Sequence, residues 1–340
     1  MREKKVLLMG DAASGKSSMR AAIFKNTIPD LTSRLSTTHS YEMENYKFFG
    51  SRSLSLVDCG GQHGFMESYL TDDGEKILFA HVSALIYVFE VTKLDSAGRP
   101  PELSLQYFSR CLKALGKRSP QAPVFVLIQK MDLIQPEKRQ SEFDMWIKAL
   151  KQICGQEDAF IAFGTSIYED TLYRAWSAVV RILVPNLSDL TRNLGLLSQS
   201  CGALETAMFE KTTFLLIARS SVEEPVNHSL VSTHLLPDIY NKPVEDAGDA
   251  TVALGQANRF EMISKLIKAF KHDARRFSSE PFDSLRMEMS DFTLVLTSLT
   301  PTSYVLVIAS AKEPRITPDA IVLNISHARP HFEALQAAAK

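Results

Sequence analysis

The chain has 340 residues, of which 45% are hydrophobic and 23% are charged, and its formal net charge is −1. At about 150 residues per domain, this length predicts two domains, and the composition is that of a soluble globular protein. A net charge so close to zero excludes attraction to nucleic acid or to an acidic membrane surface through bulk charge.

Cysteine spacing and hydropathy exclude further classes. The four cysteines contain no CxxC pair, so we expect free thiols in a reducing compartment and neither a disulfide framework nor a zinc site. They are Cys59, Cys111, Cys154 and Cys201. No run of about 18 apolar residues predicts a membrane span. Because Arg2 excludes N-myristoylation and no prenylation cysteine is present, we expect membrane residence only through a partner.

The first half of the chain alternates short apolar runs with segments of helical period. Strands are predicted at 6–9, 46–50, 53–58, 83–91, 123–129 and 159–164, and helices at 16–25, 102–116, 141–154 and 169–183. This alternation predicts a mostly parallel, six-stranded sheet with helices on both faces. The run at 46–50 precedes 53–58 by a two-residue turn, Ser51-Arg52, which predicts an antiparallel hairpin at one edge.

The second half predicts a smaller α/β unit. Pro185 and Asn186 end the preceding helix, so we place domains at 1–185 and 186–340. Helices are predicted at 189–202, 259–273 and 317–336, and strands at 212–220, 291–299 and 303–310. The β–α–β–β–α order predicts an antiparallel sheet flanked by helices. Residues 221–257 have no clear period and predict a long loop, with disorder as the alternative.

The first predicted strand leads into GDAASGKS, the pattern GxxxxGK followed by Ser between a strand and a helix. In such a loop, backbone N–H groups bind phosphate, the lysine balances phosphate charge, and the hydroxyl is a Mg²⁺ ligand. The glycines permit close approach of the backbone. The predicted nucleotide-binding residues are Gly10, Asp11, Ala12, Ala13, Ser14, Gly15, Lys16, Ser17 and Ser18.

Two further segments predict the γ-phosphate side of the site. In DCGGQ, Asp58 is a candidate Mg²⁺ ligand, Gly61 a backbone contact to the γ-phosphate, and Gln62 the residue that orients the attacking water. The polar segment 27–44 is a candidate switch loop whose threonine closes over Mg²⁺. We assign that ligand to Thr38, with Thr37 as the alternative.

The base-reading residues are predicted at two strand ends. In QKMD, the carboxylate of Asp132 would accept from guanine N1–H and its 2-amino group, and the stem of Lys130 would lie along the base. Gln129 stands where Asn normally braces this loop, with the same amide one methylene further out. Thr165, Ser166 and the backbone N–H of Ile167 could reach guanine O6.

Five stretches together resemble the A/B (RagA/RagB-like) branch of the Rag (Gtr) GTPases. They are LLMGDAASGKSSMR, DCGGQHGFMESYL, ALIYVFEV, QKMDL and TSIYEDTLYRAWS. The Gly-Gly of DCGGQ, the replaced Asn of QKMD and the additional carboxy-terminal domain are together specific to that group. The resemblance covers nearly the whole chain and is weakest at 221–257.

The resemblance implies a Ras-like P-loop GTPase domain that binds Mg²⁺ and GTP or GDP. It implies a roadblock-like (longin-like) second domain that dimerises with a RagC/D-type subunit. It also implies slow hydrolysis stimulated by a GAP complex, a Ragulator-type scaffold at the lysosome or vacuole, and recruitment of the TOR kinase complex in response to amino acids. THSYE at 38–42 and His63 depart from the family pattern, which leaves the switch ligands open.

Several interpretations remain open. Arg34 lies where an in-cis catalytic arginine could stand, although a solvated loop arginine is the interpretation we favour. Phe65, Met66 and Tyr69 could be read by a regulator or could pack as a hydrophobic hinge. A nucleotide-binding scaffold with negligible hydrolysis and an Arf-like or Gα-like GTPase are the alternative functions. Arg2 and the second domain disfavour the Arf-like alternative.

Overall fold

The computed structural model of the chain describes residues 3–36, 38, 40–50, 52–154, 160–221, 259–274, 282–312 and 316–338. The loop predicted at 221–257 therefore lies, apart from its first residue, outside the described residues. Within the described ranges, no helix is both long enough and apolar enough to cross a membrane.

The first half of the chain forms a six-stranded sheet with the order β2-β3-β1-β4-β5-β6. Its strands are β1 (Glu3–Gly10), β2 (Tyr41–Lys47), β3 (Ser53–Cys59), β4 (Val82–Glu90), β5 (Val124–Gln129) and β6 (Ile161–Thr165). Only β2 is antiparallel to its neighbour. The prediction of a mostly parallel sheet with one antiparallel edge is confirmed.

Helices cover both faces of this sheet. They are α1 (Lys16–Phe24), α2 (His63–Tyr69), α3 (Asp72–Leu78), α4 (Glu102–Arg118), α5 (Arg139–Cys154) and α6 (Thr171–Leu183). Side chains of α1 and α6 pack on one face and those of α2 to α5 on the other. The sequence did not predict α2 and α3, because each has seven residues and too few buried positions to show a helical period.

The edge hairpin is confirmed, but the bounds predicted for its first strand were wrong. The strand is β2 at 41–47, and beyond it a hydrogen bond of 2.9 Å runs from Phe48 N–H to the Arg52 carbonyl. The prediction of a strand at 46–50 with a two-residue turn followed the apolar pair Phe48 and Phe49. Both side chains are buried, although they lie in the loop. The polar strand itself is exposed, as an edge strand can be.

The second half forms a five-stranded antiparallel sheet with the order β8-β7-β11-β10-β9. Its elements are α7 (Leu187–Ser200), β7 (Ala203–Glu210), β8 (Leu216–Ser221), α8 (Arg259–Ala274), β9 (Ser284–Glu288), β10 (Phe292–Thr300), β11 (Ser303–Ser310) and α9 (Pro318–Ala338). The predicted β–α–β–β–α order missed β7 and β9. The first, ALETAMFE, has few β-branched residues, and the second is a mostly exposed edge strand.

The two sheets share a hydrophobic cluster. Trp176 of α6 belongs to the same cluster as Met208 of β7 and Leu215, which precedes β8. Ser177 Oγ accepts a hydrogen bond of 3.1 Å from Leu216 N–H. The boundary between residues 185 and 186 stays a prediction, but the core is continuous across it.

Candidate functional site

Four of the segments predicted to bind nucleotide follow the carboxyl ends of parallel strands, whereas the switch loop with Thr38 lies between α1 and β2. The four segments follow β1, β3, β5 and β6. Because parallel strands present their carboxyl ends at one edge of a sheet, the sheet alone brings these four together.

The loop after β1 has the backbone that its glycines predict. Gly10 has a φ of 134°, and a Cβ there would lie 2.1 Å from the Val88 carbonyl oxygen. Gly15 has a φ of 98° at the start of α1. Both conformations disfavour a side chain, so these two positions fix the shape of the loop.

The Lys16 ammonium lies inside this loop. Its Nζ donates to the carbonyl oxygen of Gly10 at 2.9 Å and to that of Asp11 at 2.6 Å, and the residue is 5% exposed. Burial lowers the pKa of Lys16 to about 8, against the opposing effect of the Asp58 carboxylate. The loop therefore holds a buried cation beside its own backbone.

The three predicted oxygen ligands meet at one point. Ser17 Oγ lies 2.9 Å from Thr38 Oγ1 and donates to Asp58 Oδ2 at 2.8 Å. Burial raises the pKa of Asp58, while the Ser17 hydrogen bond and the nearby Arg20 oppose the rise. Asp58 Oδ1 is buried and has no hydrogen-bond partner among the described residues. Thr37, the alternative ligand, lies outside the described residues.

Sequence reasoning missed Arg20. This residue of α1 is buried, and its Nε lies 3.4 Å from Asp58 Oδ2. Its Nη2 donates to Glu42 Oε2 on β2 at 2.6 Å. Arg20 therefore ties the strand after the switch loop to the Asp58 carboxylate. The available signal was a charged residue within the apolar face of α1, between Met19 and Ala21.

The DCGGQ segment packs on the loop after β1. Ala12 N–H donates to the Gly61 carbonyl at 3.0 Å, and a Cβ on Gly61 would lie 2.3 Å from Ala12 N. Gln62 immediately precedes α2, and its Oε1 is buried without a hydrogen-bond partner in the described part of the chain. Glycine at 61 is thus required for the two segments to touch.

A cleft of about 200 Å³ opens between these segments. Its lining includes most of the predicted phosphate-side residues, namely Ala12, Ala13, Gly15, Lys16, Ser17, Ser18, Thr38, Gly61 and Gln62. The loop residues Asp11 and Ser14 are buried outside this lining. The cleft is closed on one side by Thr32, Leu35 and Ser36 of the predicted switch.

The structure shows where the residues lie for which the sequence left two interpretations. Met66 and Tyr69 are buried in the core beneath α2, and Phe65 packs against that core while partly exposed. This placement supports the hydrophobic hinge. Arg34 is exposed at the end of a 3-10 turn, as expected for a solvated loop arginine.

Gln129 braces two other loops. It is buried, its Oε1 accepts from Thr165 Oγ1, and its side chain is the nearest neighbour of a Cβ placed on Gly15, at 3.3 Å. The longer amide therefore joins the loops after β1, β5 and β6.

The other predicted base readers flank Gln129. Lys130 has a φ of 69°, and its Nζ pairs with Glu90 Oε2 at 2.9 Å. Asp132 lies half-buried in a short 3-10 turn. Ser166 Oγ accepts from Tyr168 N–H at 3.1 Å, and Ile167 is partly buried against the core.

A second missed residue is Arg139, at the start of α5. Its Nε donates to the Ile134 carbonyl at 3.1 Å, and its Nη1 pairs with Glu169 Oε1 at 2.9 Å. Arg139 thus joins the segments that follow QKMD and TSI. An arginine that follows a proline turn gives no indication in the sequence of which residues it contacts.

Comparison with known proteins identifies the family. The model described as the Gtr1/RagA G protein conserved region matches residues 5–267. The chain is 36% identical over 331 residues to Ras-related GTP-binding protein A of Dictyostelium discoideum, covering 97% of each. It is 36% identical over 335 residues to GTP-binding protein gtr1 of Schizosaccharomyces pombe, covering 98% of this chain and 97% of that protein. It is 33% identical over 362 residues to Ras-related GTP-binding protein B of Rattus norvegicus, covering 98% of this chain and 86% of that protein.

A weaker similarity extends to a second group. Ras-related GTP-binding protein C of Homo sapiens is 28% identical over 221 residues, covering 64% of this chain and 53% of that protein. The family match over residues 5–267 and the full-length similarities confirm the resemblance seen in the motifs. The chain belongs to the Gtr1/RagA family of GTP-binding proteins and is a GTPase.

Proposed function

We propose that the cleft binds GTP or GDP with Mg²⁺ and that the switch loop reports which nucleotide is bound. The meeting of Ser17, Thr38 and Asp58 within 2.8 to 2.9 Å carries this proposal. Three oxygen donors from separate segments suit Mg²⁺, and the unpartnered Asp58 Oδ1 is a further buried oxygen available to an ion or its water. Bound Mg²⁺ would neutralise charge that develops on the β- and γ-phosphates.

The residues of the chain would divide the remaining work. Lys16 would exchange its loop carbonyl partners for phosphate oxygens, and backbone N–H groups of residues 12–17 would bind the β-phosphate. Gln62 would orient the attacking water, while Gly61 lets its backbone approach the γ-phosphate. Hydrolysis would be slow alone and would be stimulated by a GAP complex.

Base selection is assigned to Asp132, with Lys130 against the base and Thr165, Ser166 and Ile167 at the guanine O6 side. Guanine offers two N–H donors to a carboxylate where adenine offers none. The place of Gln129 between Gly15 and Thr165 supports a bracing role in place of the usual Asn. The Gln substitution is thus compatible with guanine selection.

We further propose that the chain works as a heterodimer with a RagC/D-type GTPase. Residues 186–340 would form the roadblock-like dimerisation domain. Support comes from the separate group of relatives named protein C and from exposed apolar residues on α8 and β9, namely Leu266, Phe270 and Met287. The dimer would bind a Ragulator-type scaffold on the cytosolic face of the lysosome or vacuole and recruit the TOR complex when amino acids suffice.

Nucleotide competition tests the core of this proposal. GTP, GDP, ATP and XTP compete with fluorescent GDP for the full chain in Mg²⁺, in wild type and in Asp132→Asn. We expect GTP and GDP to compete in wild type, and Asp132→Asn to weaken guanine binding about 10- to 100-fold and to favour XTP, because charged hydrogen bonds contribute about 1.5–3 kcal/mol.

Asp144→Asn is the matched control, because Asp144 is exposed on α5 and accepts a hydrogen bond from Gln140 one turn away. It should leave the competition unchanged. Equal competition by ATP, or no change in Asp132→Asn, would refute the assignment of the base reader. Single-turnover hydrolysis with Gln62→Leu separates the switch from a scaffold: no loss of rate in the variant favours the scaffold.

A further inference from the structure

The phosphate loop contains a carboxylate. Asp11 follows Gly10, and its main-chain oxygen accepts from the Lys16 ammonium at 2.6 Å. The residue as a whole is buried, at 7% exposure. Like charges repel strongly where water is excluded, so an uncompensated carboxylate here would oppose the binding of a nucleotide phosphate. Something must compensate for it.

Two side chains hold this carboxylate away from the cleft. Asp11 Oδ2 accepts from Ser104 Oγ on α4 at 2.5 Å and pairs with Lys93 Nζ at 3.1 Å. Ser104 is buried, and Lys93 lies in the loop after β4. An exposed ion pair contributes little, but here the carboxylate side chain is only 9% exposed, so loss of its cation leaves a buried charge.

The loop that carries Lys93 also reaches the base-reading side. Glu90, three residues earlier, pairs with Lys130 at 2.9 Å, and Lys93 N–H donates to the Glu90 carbonyl at 3.1 Å. Val91 N–H donates to the Gln129 carbonyl at 3.0 Å. Residues 90–93 are therefore fixed to the base-reading loop at one end and to the phosphate loop at the other.

We propose that Lys93 is a positioning residue for nucleotide binding. Together with Ser104 it turns the Asp11 carboxylate away from the phosphate site and neutralises it, which lets this chain keep an acidic residue in its phosphate loop. The inference rests on the proposed function, because it concerns affinity for a guanosine di- or triphosphate at the same cleft. Lys93 itself contacts Asp11 and needs no contact with the nucleotide.

A double-mutant cycle tests the inference. The Kd values for fluorescent GDP and GTP are measured with Mg²⁺ on full-length wild type, Lys93→Met, Asp11→Asn and the double variant. Lys93→Met should weaken both nucleotides about tenfold, because it leaves the carboxylate buried and unpaired. The double variant should bind as Asp11→Asn does, within about twofold, because sites that act only through each other are not additive.

Two controls complete the design. Lys93→Arg keeps the charge and should bind within about threefold of wild type, because a guanidinium also pairs with a carboxylate. Lys76→Met removes a lysine of an exposed pair with Asp73 on α3 and should have no effect. Without nucleotide, Lys93→Met should unfold at a lower temperature than Lys76→Met, and the double variant should recover this loss, because the buried side chain at position 11 then carries no charge.

Two results would overturn the inference while the proposed function stands. One is unchanged affinity in Lys93→Met in a protein whose wild type binds GDP. The other is an equal loss of affinity with and without Asp11, because a lysine that touches phosphate or serves only the fold does not depend on Asp11. If wild type binds neither guanine nucleotide, the proposed function itself fails.

Discussion

Two buried carboxylates, one in each sheet, show how the two halves of the molecule differ. Glu210 is the last residue of β7 and is 2% exposed, and Asp58 is the penultimate residue of β3 in the parallel sheet and is 0% exposed. The Glu210 oxygens accept from Thr212 N–H at 2.9 Å, from Thr213 N–H at 2.7 Å and from Thr213 Oγ1 at 2.6 Å. Asp58 keeps one oxygen without a partner among the described residues.

The difference separates a structural carboxylate from a ligand. A buried polar group that the fold has satisfied stabilises its own turn, whereas one left unsatisfied needs an explanation such as an ion or water. Topology decides where each kind occurs. The parallel sheet gathers its loops at one edge, while consecutive hairpins of the antiparallel sheet turn at opposite edges, so its polar loop residues are dispersed.

The comparison predicts opposite results for matched substitutions. Glu210→Gln should lower the free energy of unfolding by about 2 kcal/mol, because an amide cannot replace both charge-assisted acceptors. It should leave GDP affinity unchanged. Asp58→Asn should change stability by less than about 1 kcal/mol, because it removes a costly buried charge. The variant should release fluorescent GDP rapidly whether or not EDTA is present, whereas wild type should need EDTA.

Urea unfolding without nucleotide and a GDP release assay provide both measurements. Each substitution replaces one carboxylate oxygen with an amide NH2 group. The two variants therefore carry the same chemical change, and each serves as the control of the other. Altered GDP release in Glu210→Gln, or continued sensitivity to EDTA in Asp58→Asn, would contradict the assignment of a structural role to Glu210 and a ligand role to Asp58.

The parallel sheet and its site loops could be predicted because the signals are local. The pattern GxxxxGKS requires a strand before it and a helix after it, and QKMD and TSI each follow an apolar run. The sequence favours Thr38 over Thr37 only weakly, and of the two only Thr38 lies among the described residues. In the second half, β7 and β9 were missed because strand signals depend on partners distant in sequence.

The residues that brace the site could not be predicted from sequence. Their contacts join residues that are distant in sequence, and Ser104, for example, follows its partner Asp11 by 93 positions. The bracing residues are Arg20, Lys93, Ser104 and Arg139. Nothing local to a helix arginine or a loop lysine indicates its partner. A catalytic motif is visible in sequence because it is contiguous, whereas its support is assembled only by the fold.

A second prediction concerns the contact between the two halves. Lys268 of α8 is buried, and its Nζ donates to the Ala22 carbonyl at the end of α1 at 2.8 Å. Lys268→Met removes this donor from the last turn of α1, which should cost about 1–2 kcal/mol locally. Hydrogen exchange should therefore become faster in peptides that cover residues 16–29 and remain unchanged in 203–210.

Faster exchange at 16–29 would mean that the antiparallel half stabilises the nucleotide-binding half. Lys148→Met is the control, since Lys148 is exposed on α5. Unchanged exchange at 16–29 in Lys268→Met would mean that the two halves are energetically independent at this contact.

The smallest expected effect lies on the exposed side of the parallel half, where Glu67 of α2 pairs with Arg110 of α4. Arg110 Nη1 donates to Glu67 Oε1 at 2.8 Å, and Tyr107 OH donates to the same oxygen at 2.9 Å. These hydrogen bonds lower the pKa of Glu67 to about 2, and the bond from Arg110 has the larger effect. Because the pKa in the fold is depressed, the interaction is present above the ordinary carboxyl pKa and is lost as pH falls towards 2.

Arg110→Met should raise the pKa of Glu67 towards its ordinary value in a carboxyl NMR titration, and Tyr107→Phe should raise it less. Neutral-pH stability should barely change, because a solvent-exposed ion pair is screened and contributes little. An ordinary Glu67 pKa in wild type would show that this tether of α2 does not form in solution, so the buried hinge residues alone would position the helix.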